Sequence, residues 1–221
     1  MSSQSRNAAA VPEASRSRLL DAAVRTFGAK GFHATTTRDI ATAAGMSPAA
    51  LYVHHRSKEE LLYAACLIGH QEMLARIKAA VSPHHDSRDQ LKALVLAWVV
   101  EHAHRRDTAR VVNDELDALT PEHRAIVDDL RRAMEGVARR VLDDGVAQGV
   151  FAVDDPHLAA RAVLSLGQDV AHWFRPDGRW SASVIAEHYA VMALRMVGAA
   201  DTVIPANPVS AEPRTADLPP S

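Results

Sequence analysis

Residues 35–62 read TTTRDIATAAGMSPAALYVHHRSKEELL and contain several helix start and stop signals in close succession. Thr37 can cap a short helix, and Gly45 supplies the left-handed turn that ends it. Ser47 can cap a second short helix with Pro48 at its first position, where a missing N–H costs little. Ser57 and Glu60 have the spacing of a capping box that opens a longer helix. The stretch therefore predicts two short helices joined by a tight glycine turn, followed by a long helix.

This arrangement is typical of a helix-turn-helix unit, in which the second helix enters the major groove of DNA and the first crosses the backbone. The apolar residues Ile40, Ala44, Met46 and Leu51 would hold the two helices together. The remaining positions of the second helix, residues 47–50, 52 and 53, are then the candidates to face outward.

Helical patterns continue over most of the chain. A first helix is expected from Ser15 to Ala29, and further starts are indicated by a Ser87/Gln90 capping box, by Thr120 with Pro121, by Asp155 with Pro156 and by Ser181. A helix is also expected from Arg106 to Leu119, and no segment alternates in the manner of a strand. The sequence predicts an all-α fold of about nine helices. The expected divisions are a disordered arm of residues 1–14, a helix-turn-helix domain of residues 15–75, a helical domain of residues 76–200 and a disordered proline-rich tail of residues 201–221.

Composition and charge narrow the class of protein. The chain has 221 residues, 48% hydrophobic content and a net charge of −2, which fits a folded protein with a substantial core. Residues 1–58 hold eight Lys/Arg and three Asp/Glu, a net +5, whereas the remainder has a net −7. Only the N-terminal part has the sign of a phosphate-binding surface. No apolar run is long enough for a signal peptide or a membrane helix, so we expect a cytoplasmic protein.

The quoted stretch resembles the signature of the TetR/AcrR family of bacterial repressors, roughly T-x-x-D-I-A-x-x-A-G-x-S-x-G-x-L-Y-x-H-F-x-S-K-E-x-L. The sequence departs from it at Ala49, where the family usually has glycine, and at His55, where it usually has phenylalanine. The resemblance implies that Thr36 or Thr37, together with Tyr52, His54 and Lys58, binds phosphates. It also implies that residues 47–50 lie along the bases. The predicted DNA-contacting residues are Thr36, Thr37, Arg38, Ser47, Pro48, Ala49, Ala50, Tyr52, His54 and Lys58.

Simpler roles are also open for several of these residues. Tyr52 could be a core aromatic residue, Lys58 a solvated charge, and Thr37 and Ser47 only helix caps. Long basic side chains are few in this region, so we expect Pro48 and the adjacent alanines to contact thymine methyl groups, with DNA shape supplying further specificity.

The helical domain has the features expected for dimerisation and ligand binding. A symmetric dimer would match a palindromic operator, and the last two helices offer apolar faces for a four-helix contact, unless these faces only form intramolecular core. The predicted dimer residues are Leu158, Ala162, Leu166, Val170, Ile185, Tyr189, Met192 and Met196. Residues 91–142 would enclose an effector pocket. Its predicted lining residues are Trp98, His102, Arg106, Asn113, Met134, Gln168 and Trp173.

A finer resemblance concerns the effector. The stretch GQDVAHWFRPDGRWSASVIAEHYAVMALRMV and the residues before it are similar to TetR-family regulators of fatty-acid and sterol breakdown. This resemblance implies release from the operator by an acyl-CoA thioester. Arginines can bind the phosphates of such a ligand, or can simply be solvated surface charges. The candidates are Arg105, Arg106, Arg110, Arg131 and Arg132.

Other functions remain as alternatives. A metal- or redox-responsive regulator would use the twelve histidines or the single cysteine, Cys66, but the histidine pairs lack the spacing that places two imidazoles on one helix face. An all-helical enzyme would need a recognisable catalytic motif, which we do not find, and we expect no cofactor. An architectural DNA-binding protein would be smaller and more basic.

Overall fold

The computed structural model describes residues 4–199, with side chains from Ala14 onward, and this part of the chain is entirely helical. It contains nine α-helices and a short 3-10 helix at Leu116–Ala118. The bounds are α1 Gln4–Lys30, α2 Thr37–Ala43, α3 Pro48–His54, α4 Lys58–Val81, α5 Ser87–His104, α6 Arg106–Asp114, α7 Pro121–Ala147, α8 Pro156–Trp173 and α9 Ala182–Met196. The prediction of an all-α fold with about nine helices is confirmed.

Most helix starts lie where the caps were predicted. Ser47, Ser57, Thr120 and Ser181 each accept a hydrogen bond from the backbone N–H three residues later, as N-cap residues do. Asp155 caps α8, which has proline at its first position. Gly45 has a φ of 67° and ends α2 as expected.

Four boundaries differ from the prediction. The helix expected from Arg106 to Leu119 ends at Asp114, and a separate 3-10 helix follows at Leu116–Ala118. The N-cap of α2 is Thr36 rather than Thr37, because Thr36 forms a reciprocal capping box with Asp39 at the third helical position. The cap of α5 is Asp86, whose carboxylate accepts from the N–H of Arg88, so Ser87 is already helical and buried. Helix α1 begins at Gln4 instead of Ser15, so the expectation of disorder is corrected for residues 4–14; this segment contains consecutive alanines, which have the highest helix propensity.

The expected proline-rich tail of residues 201–221 lies outside the described residues, as do residues 1–3. No helix in the described part of the chain is long and apolar enough to cross a membrane.

The core consists of two hydrophobic clusters. The larger cluster lies between α5, α7, α8 and α9 and the second half of α4. Helix α9 packs mainly along α5, and α8 packs against α5 and α7. The second cluster joins α1, α2, α3 and the first half of α4 to five residues from later in the chain, namely Val111, Val112, Leu116, Leu119 and Val127. The expected boundary after residue 75 therefore divides the sequence but does not divide this second core.

The packing of α7 makes a test of the larger core. A Cβ atom at Gly145 would overlap the ring of Phe151, whereas at Gly136, on the same helix, the nearest neighbour is the mobile Arg140 guanidinium at 3.6 Å. We expect Gly145→Ala to lower the free energy of unfolding by about 1–3 kcal/mol. Gly136→Ala should leave it unchanged or raise it by up to about 1 kcal/mol. Urea denaturation followed by circular dichroism measures both changes, and equal stability of the two variants would contradict this packing.

Candidate DNA interface and effector cavity

A reciprocal capping box fixes the start of α2. Thr36 Oγ1 accepts from the Asp39 N–H at 3.1 Å, and Asp39 Oδ2 accepts from the Thr36 N–H at 2.9 Å and from its hydroxyl at 2.7 Å. Lys30 adds an ion pair of 3.1 Å to Oδ1. The hydrogen bonds from Thr36, followed by Lys30, lower the pKa of Asp39 to about 2. The capping box is therefore intact at neutral pH. Its contribution to the stability of the fold is lost only as pH falls from the ordinary aspartate pKa through about 2.

Helix α3 presents a small, uncharged surface. Leu51 is fully buried against α2, while Pro48 and Ala49 are exposed and Ala50 is half-buried. Val53 is 80% exposed. The start of α3 thus offers methyl and methylene groups rather than long cations to a groove.

Tyr52 joins α3 to the start of α2. Its hydroxyl shares a hydrogen bond of 3.1 Å with Thr37 Oγ1, and the residue is 52% exposed. The alternative that Tyr52 is a core aromatic residue is therefore wrong. The two hydroxyls lie side by side at the surface where the two helices meet, and hydroxyls of this kind are common phosphate ligands.

Lys58 holds the segment between α1 and α2. Its Nζ donates to the carbonyl oxygens of Phe32 at 2.9 Å, His33 at 3.3 Å and Thr35 at 3.0 Å, and it lies 4.3 Å from the centre of the Phe32 ring. An ammonium group has three donors, so a direct grip on phosphate would require releasing one carbonyl. The alternative of a freely solvated charge is wrong for Lys58.

The remaining predicted DNA contacts have less defined surroundings. Arg38 is exposed on α2 and forms no ion pair with any residue between 14 and 199. His54 is half-buried at the last position of α3. Together with Thr36, Thr37, Ser47 and Tyr52, these residues lie on the α2 and α3 unit, which is the arrangement that the sequence predicted.

A cavity of about 340 Å³ opens between α5, α6, α7 and α8. Four of the seven predicted pocket residues line it: Trp98, Asn113, Met134 and Gln168. The cavity also has a charged side that the prediction only partly included, formed by Arg131, Arg132, Arg161, Asp128 and Glu135. Arg131 donates to Asn113 Oδ1 at 2.7 Å, and Arg161 pairs with Glu135 at 2.8 Å. We call this the arginine cavity.

A smaller cavity of about 40 Å³ lies next to it, between α4, α5 and α6. Trp98, Asn113 and Met134 border both cavities. The small cavity also contacts His102, which was predicted, and His70, which was not; we call it the histidine cavity. No pattern in the sequence indicated His70, because a single histidine on an apolar helix face is usual in a core.

Two predicted pocket residues are elsewhere. Arg106 donates to the carbonyl of Phe174 at 2.8 Å and borders a separate groove near α1, not either cavity. Trp173 is 39% exposed at the end of α8, with its ring 6.5 Å from that of Tyr189. We therefore leave both out of the proposed pocket. Of the other candidate phosphate ligands, Arg105 is paired with Glu72 and Glu101, and Arg110 is exposed.

The predicted dimer residues separate into two groups. Leu158, Leu166, Met192 and Met196 are between 40% and 64% exposed, and Ala162 and Tyr189 are half-buried. These six can form an apolar surface on α8 and α9. Val170 and Ile185 are instead 0% and 5% exposed within the chain, because they face the larger core, so we remove them from the proposed dimer surface.

Helix α6 connects the cavities with the DNA-binding unit. Thr108, Ala109 and Asn113 line the histidine cavity, while Val111 and Val112 pack in the second core. Just after α6, Glu115 accepts from the Phe32 N–H at 3.0 Å, next to the segment that Lys58 holds. A second link is Glu59 at the start of α4, which accepts from the Thr120 N–H at 3.1 Å and lies 2.8 Å from His123 Nδ1.

The chemistry of the thiol and the histidines bears on the alternative functions. Cys66 is buried, and burial raises the pKa of its thiol to about 12, so little reactive thiolate forms at neutral pH. Among residues 14–199, no three His, Cys, Asp or Glu side chains group closely enough to hold a metal ion.

The combination of a helix-turn-helix unit and a cavity-bearing helical domain defines a class of one-component DNA-binding regulators. Residues 19–65 match the family model of bacterial regulatory proteins of the tetR family, and residues 84–197 match the tetracyclin repressor-like C-terminal domain. The chain belongs to the TetR family of transcriptional regulators. Like its relatives, it is a transcriptional regulator and not an enzyme.

Several relatives span most of the chain. The HTH-type transcriptional repressor KstR2 of Rhodococcus jostii (strain RHA1) is 30% identical over 181 residues, which cover 81% of this chain and 89% of KstR2. A crystal structure of a tetR-family regulatory protein from Rhodococcus RHA1 is 45% identical, with a TM-score of 0.81, and covers 85% of this chain and 98% of its own. The ketosteroid transcriptional regulator KstR2 of Mycobacterium tuberculosis is 28% identical, with a TM-score of 0.74 over 81% of this chain and 93% of its own.

The contacts of Lys58 generate a test of its role. If the ammonium mainly holds the carbonyls of residues 32–35, Lys58→Met should lower the free energy of unfolding by about 1.5–3 kcal/mol, since hydrogen bonds to a charged group are lost. Lys30→Met is the matched control, because its exposed ion pair with Asp39 should be worth at most about 1 kcal/mol. Chemical denaturation measures both. A Lys58→Met variant as stable as the wild type would show that the lysine does not hold the loop.

Proposed function

We propose that this regulator is a ligand-responsive repressor that binds a palindromic operator as a homodimer and is released by a small hydrophobic effector. An acyl-CoA thioester is the class of effector that we put first. The protein would act in the cytoplasm, where the operator DNA is. The observation that carries the proposal is the arginine cavity, which is lined by both apolar and cationic side chains. Helix α6 lies between this cavity and the second core, which holds the helix-turn-helix.

Three features support operator binding by the α2 and α3 unit. Hydroxyls of Thr37 and Tyr52 meet at the surface, Lys58 fixes the preceding loop, and the exposed start of α3 carries small apolar groups. We propose that Thr36, Thr37, Arg38, Tyr52 and His54 bind phosphates, with Lys58 positioning the loop beside them. The start of α3, from Ser47 to Ala50, would lie along the bases and contact thymine methyl groups.

The exposed apolar residues of α8 and α9 support a dimer. Leu158, Leu166, Met192 and Met196 lie on helices that are far from α3 in the sequence, and a two-fold pairing through them would present two copies of α3. Two recognition helices must be separated by about one helical turn of DNA, or a multiple of it, to enter successive major grooves. Effector binding would favour a dimer in which that separation is wrong.

Charge supports an anionic head group on the effector. Arg131, Arg132 and Arg161 line the arginine cavity, although each has a partner within the chain: Asn113, Asp129 and Glu135, respectively. A phosphate-bearing ligand would exchange these contacts for charge-assisted bonds to its own oxygens. Its apolar part would extend toward Trp98 and Met134. The relative KstR2 of Mycobacterium tuberculosis is described as a ketosteroid regulator, which fits a hydrophobic effector.

Transmission would pass through α6 and α4. Asn113 of α6 lines both cavities, and Val111 and Val112 of the same helix pack in the second core. Glu115, just after the helix, accepts from the Phe32 N–H. Helix α4 begins at Lys58, beside the proposed phosphate contacts, and its residue Met73 lines the histidine cavity. A shift of either helix on ligand binding would change the placement of α3.

Release of operator DNA by acyl-CoA is the direct test. We expect acyl-CoA thioesters of suitable chain length to weaken binding of the dimer to its own upstream promoter region by about 5–150-fold, the usual range of allosteric coupling. Free CoA serves as the control for the head group alone. Gel-shift titrations with chains of increasing length measure the effect, and affinity without ligand should fall steeply with salt. The effector class is wrong if no acyl-CoA of any length weakens binding.

A further inference from the structure

The histidine cavity contains two buried imidazoles with an unusual shared geometry. His70 of α4 and His102 of α5 are each only 3% exposed, and both line this cavity. The Nδ1 atom of His70 lies 2.7 Å from the carbonyl oxygen of Cys66, and that of His102 lies 2.8 Å from the carbonyl oxygen of Trp98. Each ring is thus tied to its own helix through the same nitrogen.

These contacts fix the tautomer of both rings. A carbonyl oxygen can only accept a hydrogen bond, so Nδ1 must carry the proton. In a neutral imidazole, Nε2 then has a free lone pair and acts as an acceptor. Burial lowers the pKa of His70 and of His102 to about 4, which keeps both rings neutral at physiological pH. Because Nδ1 is turned toward the helix backbone, Nε2 points away from it, toward the space between the helices.

Two of the polar side chains that line the cavity already have partners. The Asn113 amide donates to the carbonyl of Ala109 at 2.7 Å, and Arg105 is paired with Glu72 and Glu101. Neither Nε2 atom has a hydrogen-bond partner within residues 14–199. The surroundings are otherwise largely apolar, with Met73, Val112 and Met134 in the lining. The cavity therefore presents two acceptor atoms to a ligand.

We propose that the histidine cavity recognises an uncharged hydrogen-bond donor, a hydroxyl group, at the apolar end of the effector, with Nε2 of His70 or His102 accepting a hydrogen bond from it. A ketone in the same position offers only an acceptor, which cannot form a hydrogen bond with either Nε2 lone pair, so it would bind more weakly. The volume of about 40 Å³ suits a terminal group of this size, not a ring system. This inference rests on the proposed function, since it names one end of the ligand of that pocket.

The path from the arginine cavity supports this orientation. Trp98, Asn113 and Met134 border both cavities, so an extended ligand with its anionic head among the arginines can direct its other end to the histidines. The Trp98 indole is held by a hydrogen bond of 2.9 Å to the Leu164 carbonyl, and its ring lies 4.5 Å from that of His102. The indole thereby forms an apolar wall beside the proposed hydroxyl site.

Binding of three matched thioesters to the full-length protein tests the proposal. The probes are decanoyl-CoA, 9-hydroxydecanoyl-CoA and 9-oxodecanoyl-CoA, in which the last two carry an alcohol and a ketone at the same carbon, and binding is measured by isothermal titration calorimetry without DNA. We expect the hydroxy compound to bind about tenfold more tightly than the oxo compound, as one well-formed hydrogen bond allows. His102→Phe and His70→Phe should each reduce this preference, and the double variant should abolish it. Equal affinity for the hydroxy and oxo compounds would overturn the inference.

A second measurement does not depend on the variants folding. Nitrogen-15 NMR of histidine-labelled wild-type protein should show both rings protonated at Nδ1, and the hydroxy probe should shift an Nε2 resonance. Protonation at Nε2 in either ring, or no Nε2 shift on binding, would contradict the proposal. The pair 2-octanol and 2-octanone, which differ only in the group on one carbon, separates the histidine site from the effector class. If only the CoA probes fail and the alcohol is still preferred, the histidine site stands and acyl-CoA is wrong. If the CoA probes bind without preference, the effector class stands and the histidine site is wrong.

Discussion

The structure depends on the burial of α6 and the start of α7 against the DNA-binding unit. The helices α2 and α3 have only seven residues each and little apolar surface of their own, and small units bury too small a fraction of their surface to be very stable. Here Leu19, Phe27 and Leu62 pack in one cluster with Val112 and Val127, which are fully or almost fully buried. The DNA-reading helices are therefore held by residues that follow them by more than fifty positions in the sequence.

This shared core explains how two distant surfaces can be coupled. Helix α6 lines the histidine cavity, and its residues Val111 and Val112 pack in the second cluster beside Gly28 and Gly69. A Cβ atom added to either glycine would lie only 3.6 Å from a valine methyl group of α6. Close-packed helices of this kind shift as units and do not deform locally. In the proposed function, a ligand that moves α6 would therefore also move its neighbours α1 and α4, and Glu115 would carry the movement to the loop that Lys58 holds.

The parts of the fold that the sequence predicted are those determined by local chemistry. Cap residues such as Ser47, Asp155 and Ser181 form hydrogen bonds within their own first turn, and a family signature marks the helix-turn-helix. Thr36 was missed as a cap because Thr37 is chemically the same and stands next to it. Helix propensity at residues 4–14 was also underestimated.

The candidate sites were predicted less completely, since helical periodicity shows that a face is apolar but not what covers it. Val170 and Ile185 lie on apolar faces that turn toward the chain's own core, while Leu158 and Met192 turn outward. His70 lines a cavity only because α4 crosses α5 near His102, and contacts between such distant segments leave no local pattern in the sequence.

The thermal unfolding of a fragment that ends with α4, residues 1–81, tests most directly whether later helices complete the DNA-binding core. Circular dichroism at 222 nm would follow the fragment and the full chain under the same conditions. The shared core predicts that the fragment loses helix gradually, without a cooperative transition, because Val111, Val112, Leu116, Leu119 and Val127 are missing. A cooperative transition of the fragment close to the melting temperature of the full chain would contradict it.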